Sequence, residues 1–133
     1  MTDSASPPAA PPRPVAHILL AEDDDSLRGF LARALERAGH RVRVCADGDE
    51  AVEALDAGPY DLLLTDIVMP GTDGIEVARI AAAKTPGLRI MFITGFAAVA
   101  LSAGTRAPEG AKVLSKPVHL REIVAEVERM IAV

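Results

Sequence analysis

Residues 60–74 read YDLLLTDIVMPGTDG. The run Leu62-Leu63-Leu64, flanked by Asp61 and Thr65, has the pattern of a short strand buried on both faces, spanning 61–65. Pro70-Gly71-Thr72-Asp73-Gly74 then concentrates turn-forming residues, and a helical stretch follows to about Lys84, where Pro86-Gly87 breaks it. Strand, turn and helix in that order form one unit of an alternating α/β chain. Asp66 stands where the strand gives way to the turn.

The alternation extends in both directions. Before it, HILLA at 17–21 reads as a buried strand, and Leu27, Phe30, Leu31, Ala34, Leu35 and Ala38 recur at helical spacing. Asp25 or Ser26 is positioned to cap that helix and Gly39 to stop it. RVRVC at 41–45 alternates like a half-buried strand, and a short helix over about 48–57 ends at Gly58-Pro59. After it, RIMFI at 89–93 and KVLS at 112–115 are further strands. A weak helical signal lies near 97–103, in a segment crowded by Gly104, Pro108 and Gly110. Over 119–132, Leu120, Ile123, Val124, Val127 and Ile131 share one helical face. Five strands alternating with helices predict an α/β fold, a parallel sheet covered on both sides.

Composition narrows the function. The chain has 133 residues, half of them apolar, enough for one domain with a real core. A net charge of −5 argues against a general grip on nucleic acid. No apolar run is long enough to span a membrane. Lone Cys45 has no internal disulfide partner, which fits a reducing cytoplasm, and reads as a small buried hydrophobe. Residues 1–14, MTDSASPPAAPPRP, lack the features of a signal peptide and are expected to form a disordered tail, leaving 15–133 as the folded domain.

Right-handed crossovers carry the carboxyl ends of parallel strands to one edge, where ligands of such sheets bind. Glu22 and Asp23, Asp66, Thr94 and Lys116 follow or end four of the strands and should therefore converge. A carboxylate such as Asp66 can attack phosphorus and form an acyl phosphate, provided that positive charge is supplied where the two anions meet. Mg²⁺ on oxygen ligands suits that need, with Asp23 and Asp66 as direct ligands and Glu22 acting through water. The Lys116 ammonium pairs with Asp66 or with a phosphoryl oxygen, and the Thr94 hydroxyl is placed to follow a new phosphoryl group.

The segments ILLAEDDDSLR (18–28), LLLTDIVMPGTDG (62–74), IMFITG (90–95) and VLSKP (113–117) resemble the receiver domain of two-component response regulators. The resemblance covers nearly everything after the tail. It implies a doubly wound, five-stranded, flavodoxin-like (βα)5 fold that takes phosphoryl from a histidine kinase or histidine phosphotransferase. Asp66 would be the phosphoacceptor, Glu22 and Asp23 the acidic pair, the Val68 carbonyl a further Mg²⁺ ligand, Thr94 the switch hydroxyl and Lys116 the phosphoryl-contacting lysine. It also implies a cis Lys116-Pro117 bond and donor docking at an exposed Leu27 with Arg28, and at Val118 and His119. Within the family, LLAEDDD, LLLTDIVMP and AKVLSKPVHLRE resemble a single-domain cell-cycle regulator that helps substrates reach the ClpXP protease.

One departure bears on mechanism. Many receivers carry an aromatic ring or histidine three residues before the lysine, where this chain has Val113. The signal is therefore expected to pass through residues 97–111, with 97–103 and 119–132 as the output surface. Val68 and Phe96 are expected to hinder the water that hydrolyses the acyl phosphate. Other readings fit less well. A phosphohydrolase with an aspartate nucleophile would typically place an acid where Val68 stands, and a nucleotide-binding loop would need glycines where the chain has Glu22-Asp23-Asp24-Asp25. A receiver used only as a docking module remains open. No output domain is expected after the last helix, and output is expected to run through protein contacts rather than catalysis.

Overall fold

The computed structural model describes residues 15–95 and 107–132. The expected tail at 1–14, the helix near 97–103 and Phe96 lie outside these residues. The elements are β1 (His17–Ala21), α1 (Asp25–Arg37), β2 (Arg41–Cys45), α2 (Gly48–Ala54, continued by a 3-10 turn, Leu55–Ala57), β3 (Leu62–Asp66), α3 (Gly74–Lys84), β4 (Arg89–Thr94), β5 (Lys112–Ser115) and α4 (Leu120–Ile131). All five strands are parallel, in the order β2-β1-β3-β4-β5.

Period-two alternation sends successive residues of each strand into different layers. Ile18, Leu20, Leu62, Leu64, Met91 and Ile93 pack with Leu31 and Leu35 of α1 and with Ile123 and Val127 of α4. Leu19, Leu63, Ile90 and Phe92 pack on the other side with Ala51 and Ala54 of α2 and with Val77, Ala78 and Ala81 of α3. The two layers explain why the central strands are continuous apolar runs rather than alternating ones.

The edge strand β2 departs from its expected half-buried alternation. Val44 is exposed, because β2 has a neighbour on one side only. In α1, Phe30 also points outward, with the Arg33 guanidinium 5.2 Å from its ring centre, while Leu31 and Leu35 carry the burial. The cap of α1 is neither Asp25 nor Ser26 but Asp24, whose carboxylate accepts a hydrogen bond from the Leu27 N–H. The helix starts one residue earlier than its apolar spacing suggests because the cap, not the apolar stripe, sets the first turn. No helix among the described residues is long and apolar enough to cross a membrane.

Register aligns the strand ends. Ala21 pairs with Thr65, Asp66 with Ile93, and Thr94 with Ser115. Glu22, Asp66, Thr94 and Lys116 thus lie within about two residues of one level along the sheet. In the alternation, Asp66 continues the Leu62–Leu64 series, Glu22 the Ile18–Leu20 series, and Lys116 the series of Leu114. These three share the side of the sheet covered by α1 and α4. Thr94 continues the Ile90–Phe92 series toward the other side.

Candidate functional site

The carboxyl edge gathers acidic groups where an apolar core would be cheaper. Glu22 is fully buried and Asp66 is 6% exposed, while Asp23 reaches solvent. One carboxylate oxygen from each of the three lies within 4.8 Å of the others. At that spacing each like-charged pair repels by about 3–4 kcal/mol at an effective dielectric of about 20. Lys116 offsets part of this. Its Nζ donates to Asp66 Oδ2 at 2.7 Å and stands 3.2 Å from Glu22 Oε1, so one ammonium bridges two carboxylates.

Backbone donors hold the rest. Asp66 Oδ1 accepts from the Ile67 N–H at 2.7 Å, and Glu22 Oε2 accepts from the Asp24 N–H at 3.0 Å. Glu22 Oε1 is buried with no hydrogen bond, since Lys116 reaches it as an ion pair outside hydrogen-bond geometry. Burial raises the Glu22 pKa above the usual carboxylate range. The Asp24 N–H opposes that shift, the Asp66 charge adds to it, and Lys116 pulls it down in part. Burial works against the Lys116 charge, but the Asp66 hydrogen bond and the Glu22 and Asp66 charges outweigh it, so the ammonium is held more tightly than usual.

A buried carboxylate oxygen partnered only by a shared ammonium, beside two further carboxylates, fits a hard cation. An all-oxygen donor set with an open, solvent-facing side suits Mg²⁺. Glu22, Asp23 and Asp66 are the side chains placed to hold it. Val68 is 57% exposed and lies two residues beyond Asp66, in the loop that flanks the cluster.

Thr94 is fully buried, and its carbonyl accepts from the Lys116 N–H at 2.8 Å, which ties the ends of β4 and β5 together. The Lys116-Pro117 bond is cis, as expected from the resemblance; Gly58-Pro59 is cis as well, which the sequence did not signal. Leu27 is partly buried against the α1–α4 layer rather than free. His119 occupies the position before α4 with no side-chain cap bond.

Two supporting features went unread in the sequence. Arg28 donates to the Glu22 carbonyl at 2.8 Å and also pairs with Asp25, bracing the junction that carries Glu22 and Asp23. Gly74 packs so closely that an added Cβ would lie 1.9 Å from the Asp66 carbonyl oxygen, and its N–H donates to the Ile67 carbonyl at 2.7 Å. The only sequence signal for the second was a glycine at the start of a helix, which is common for other reasons.

Comparison with known proteins agrees with this geometry. The family model for the response regulator receiver domain matches residues 18–128. The chain is 59% identical over 114 residues to the response regulator receiver protein CpdR of Brucella abortus (strain 2308), covering 86% of this chain and 95% of that protein. A response regulator receiver protein from Sinorhizobium medicae WSM419 superposes with a TM-score of 0.80 at 31% identity, over 89% of this chain and 95% of that one. The receiver domain of the sensor histidine kinase PA1611 from Pseudomonas aeruginosa PAO1, with a magnesium ion coordinated in its active-site cleft, superposes with a TM-score of 0.76 at 28% identity. It covers 90% of this chain and 100% of that one. From strand order to the lysine-bridged acidic edge, the chain belongs to the response regulator receiver family.

Proposed function

We propose that this protein is a phosphorylation-controlled switch. Asp66 accepts a phosphoryl group from a phosphohistidine on a histidine kinase or histidine phosphotransferase. The observation that carries the reading is the single ammonium of Lys116 spanning Asp66 and Glu22, contributed from a strand end 50 residues away from Asp66. In the transfer, an Asp66 carboxylate oxygen bonds to phosphorus, the phosphorus–nitrogen bond breaks, and the imidazole leaves. Glu22, Asp23, Asp66 and the Val68 carbonyl would hold Mg²⁺, which when bound would supply the charge that lets two anions meet. Lys116 is already hydrogen-bonded to Asp66 and needs only to turn to the new phosphoryl oxygens. Thr94, at the adjoining strand end, supplies the hydroxyl that responds to them, and its carbonyl bond to the Lys116 N–H couples that response to β5.

The high identity to CpdR over most of both chains supports a stand-alone receiver whose output runs through protein contacts. The sequence resemblance extends this to control of ClpXP proteolysis in the cytoplasm. The test is to incubate wild type and Asp66→Ala with acetyl phosphate and Mg²⁺ and measure intact mass, then capture partners in each state. One added phosphate on wild type and none on Asp66→Ala is expected. No adduct on wild type with a competent donor overturns the reading.

A further inference from the structure

We propose that Asp49 is a positioning residue for the acidic site, acting through Thr72 on the loop that follows Asp66. The proposal rests on the reading of Asp66 as phosphoacceptor. Asp49 Oδ1 accepts two hydrogen bonds from Thr72, at 3.1 Å from its N–H and 2.8 Å from its hydroxyl. Beside them the Gly48 N–H donates to the Pro70 carbonyl at 3.3 Å. The fit is tight. An added Cβ at Gly48 would lie 1.6 Å from the Thr72 carbonyl oxygen, and one at Gly71, whose φ is +75°, would lie 2.6 Å from the Asp49 carboxylate. The first turn of α2 therefore grips residues 70–72.

The other end of the same loop is pinned as well. The Ile67 N–H donates to Asp66 Oδ1, and the Gly74 N–H donates to the Ile67 carbonyl, each at 2.7 Å. Between the two anchorages lie only Val68 and Met69, and Met69 is buried. A segment this short, held at both ends, has few conformations left. Releasing the Thr72 end frees the backbone of Val68. It also loosens the Ile67 N–H that orients Asp66. Threonine at 72 matters because it brings two donors to one carboxylate, where an apolar side chain would bring only the amide. The ionised acceptor makes each of these bonds stronger than a neutral one.

A built-in control exists. Lys84, at the end of α3, pairs at 2.7 Å with Asp56 in the 3-10 turn after α2. It joins the same neighbouring elements away from the acidic edge.

The experiment compares Thr72→Val, Thr72→Ser, Asp49→Ala and Lys84→Ala with wild type. Amide exchange at residues 67–69 is measured without metal, and Mg²⁺ affinity is measured by calorimetric titration. Thr72→Val and Asp49→Ala are expected to speed exchange at 67–69 about tenfold and to weaken Mg²⁺ binding about three- to tenfold, the scale of one or two lost hydrogen bonds. Thr72→Ser, which keeps both donors, should match wild type, and Lys84→Ala should leave both readouts unchanged. Wild-type values in Thr72→Val, or equal effects from Lys84→Ala, would overturn the proposal. Failure of wild type to take phosphoryl from acetyl phosphate would instead strike the phosphoacceptor reading, while exchange in the metal-free protein would still decide the clamp.

Discussion

The two edges of the sheet treat the carboxylates at their strand ends in opposite ways. At the amino edge, the His17 N–H donates to Asp61 Oδ2 at 2.8 Å and the His17 ring bonds the Pro59 carbonyl at 2.9 Å, in an exposed setting. The Asp61 carboxylate there has a backbone partner and water reaches it. The buried group on that edge is the His40 imidazole, which accepts from the Ala16 N–H at 3.1 Å and has its Nε2 3.7 Å from Glu128 Oε2 without a hydrogen bond. At the carboxyl edge, Glu22 and Asp66 are buried, and one ammonium is shared between them, the only cation among the described residues that reaches Glu22 Oε1. Both edges close the same strands, so sheet geometry does not require the difference. Stability alone would favour the first arrangement at both ends, since an incompletely neutralised buried charge is costly. Under the proposed function, the cost at the carboxyl edge is readiness for a cation and a phosphoryl group.

The sharpest way to break this contrast is to remove the bridging cation. Lys116→Ala leaves two buried carboxylates facing each other and should cost about 3 kcal/mol in chelator. Asp61→Ala, the matching cut at the amino edge, should cost about 1 kcal/mol. Urea unfolding of both variants checks this, and equal losses would remove the distinction between the edges.

A second test turns on Glu22. Its raised pKa means that ionisation costs stability as pH rises from the ordinary glutamate range through the folded value, so the ionised form is a burden at neutral pH. Glu22→Gln should therefore raise the melting temperature in chelator. The same change should reduce the gain from metal. Mg²⁺ at about a hundred times its Kd stabilises wild type by about 2.7 kcal/mol, and a tenfold weaker site at the same concentration gains about 1.4 kcal/mol. Thermal melts with and without Mg²⁺ read both effects, and a lower metal-free melting temperature for Glu22→Gln would contradict the electrostatic account.

A third test lies at alkaline pH. Burial pushes the Cys45 thiol, at the carboxyl end of β2, up to about 11. Lys116 is raised as well. Each group holds its proton more tightly folded than unfolded, so its stabilisation is complete below the unfolded value and is lost as pH rises through the folded one. For Cys45 the window runs from the ordinary thiol value of about 8.5 up to about 11. The melting temperature should decline across it, and Cys45→Ala should flatten the decline up to the lysine range. An unchanged slope in Cys45→Ala would assign the decline elsewhere.

Much of this was legible in the residues. The apolar runs at 18–21, 62–64 and 90–93 belong to strands covered on both faces, so their hydrophobicity is continuous and unmistakable. Asp66 and Lys116 were readable because each interrupts such a run at its end. The acidic stretch 22–25 was harder to apportion. It looks uniform in sequence, yet only Glu22 is buried, Asp24 caps α1 and Asp25 pairs with Arg28. Those roles depend on where the strand ends and the first helical turn begins, which composition does not specify. The Asp49–Thr72 bond was invisible because neither residue belongs to a periodic pattern and the two meet across 23 positions.

By itself the sequence determined the α/β alternation, the two-layered core and the residue types available for phosphoryl chemistry, because hydrophobic periodicity and turn residues act locally. Tertiary structure alone decided which residue of the acidic stretch is buried, that the lysine bound to Asp66 also reaches it, and which loop is held beside them. Those outcomes depend on strand register and on distances between segments far apart in the chain, and an electrostatic interaction has no magnitude until those distances are set.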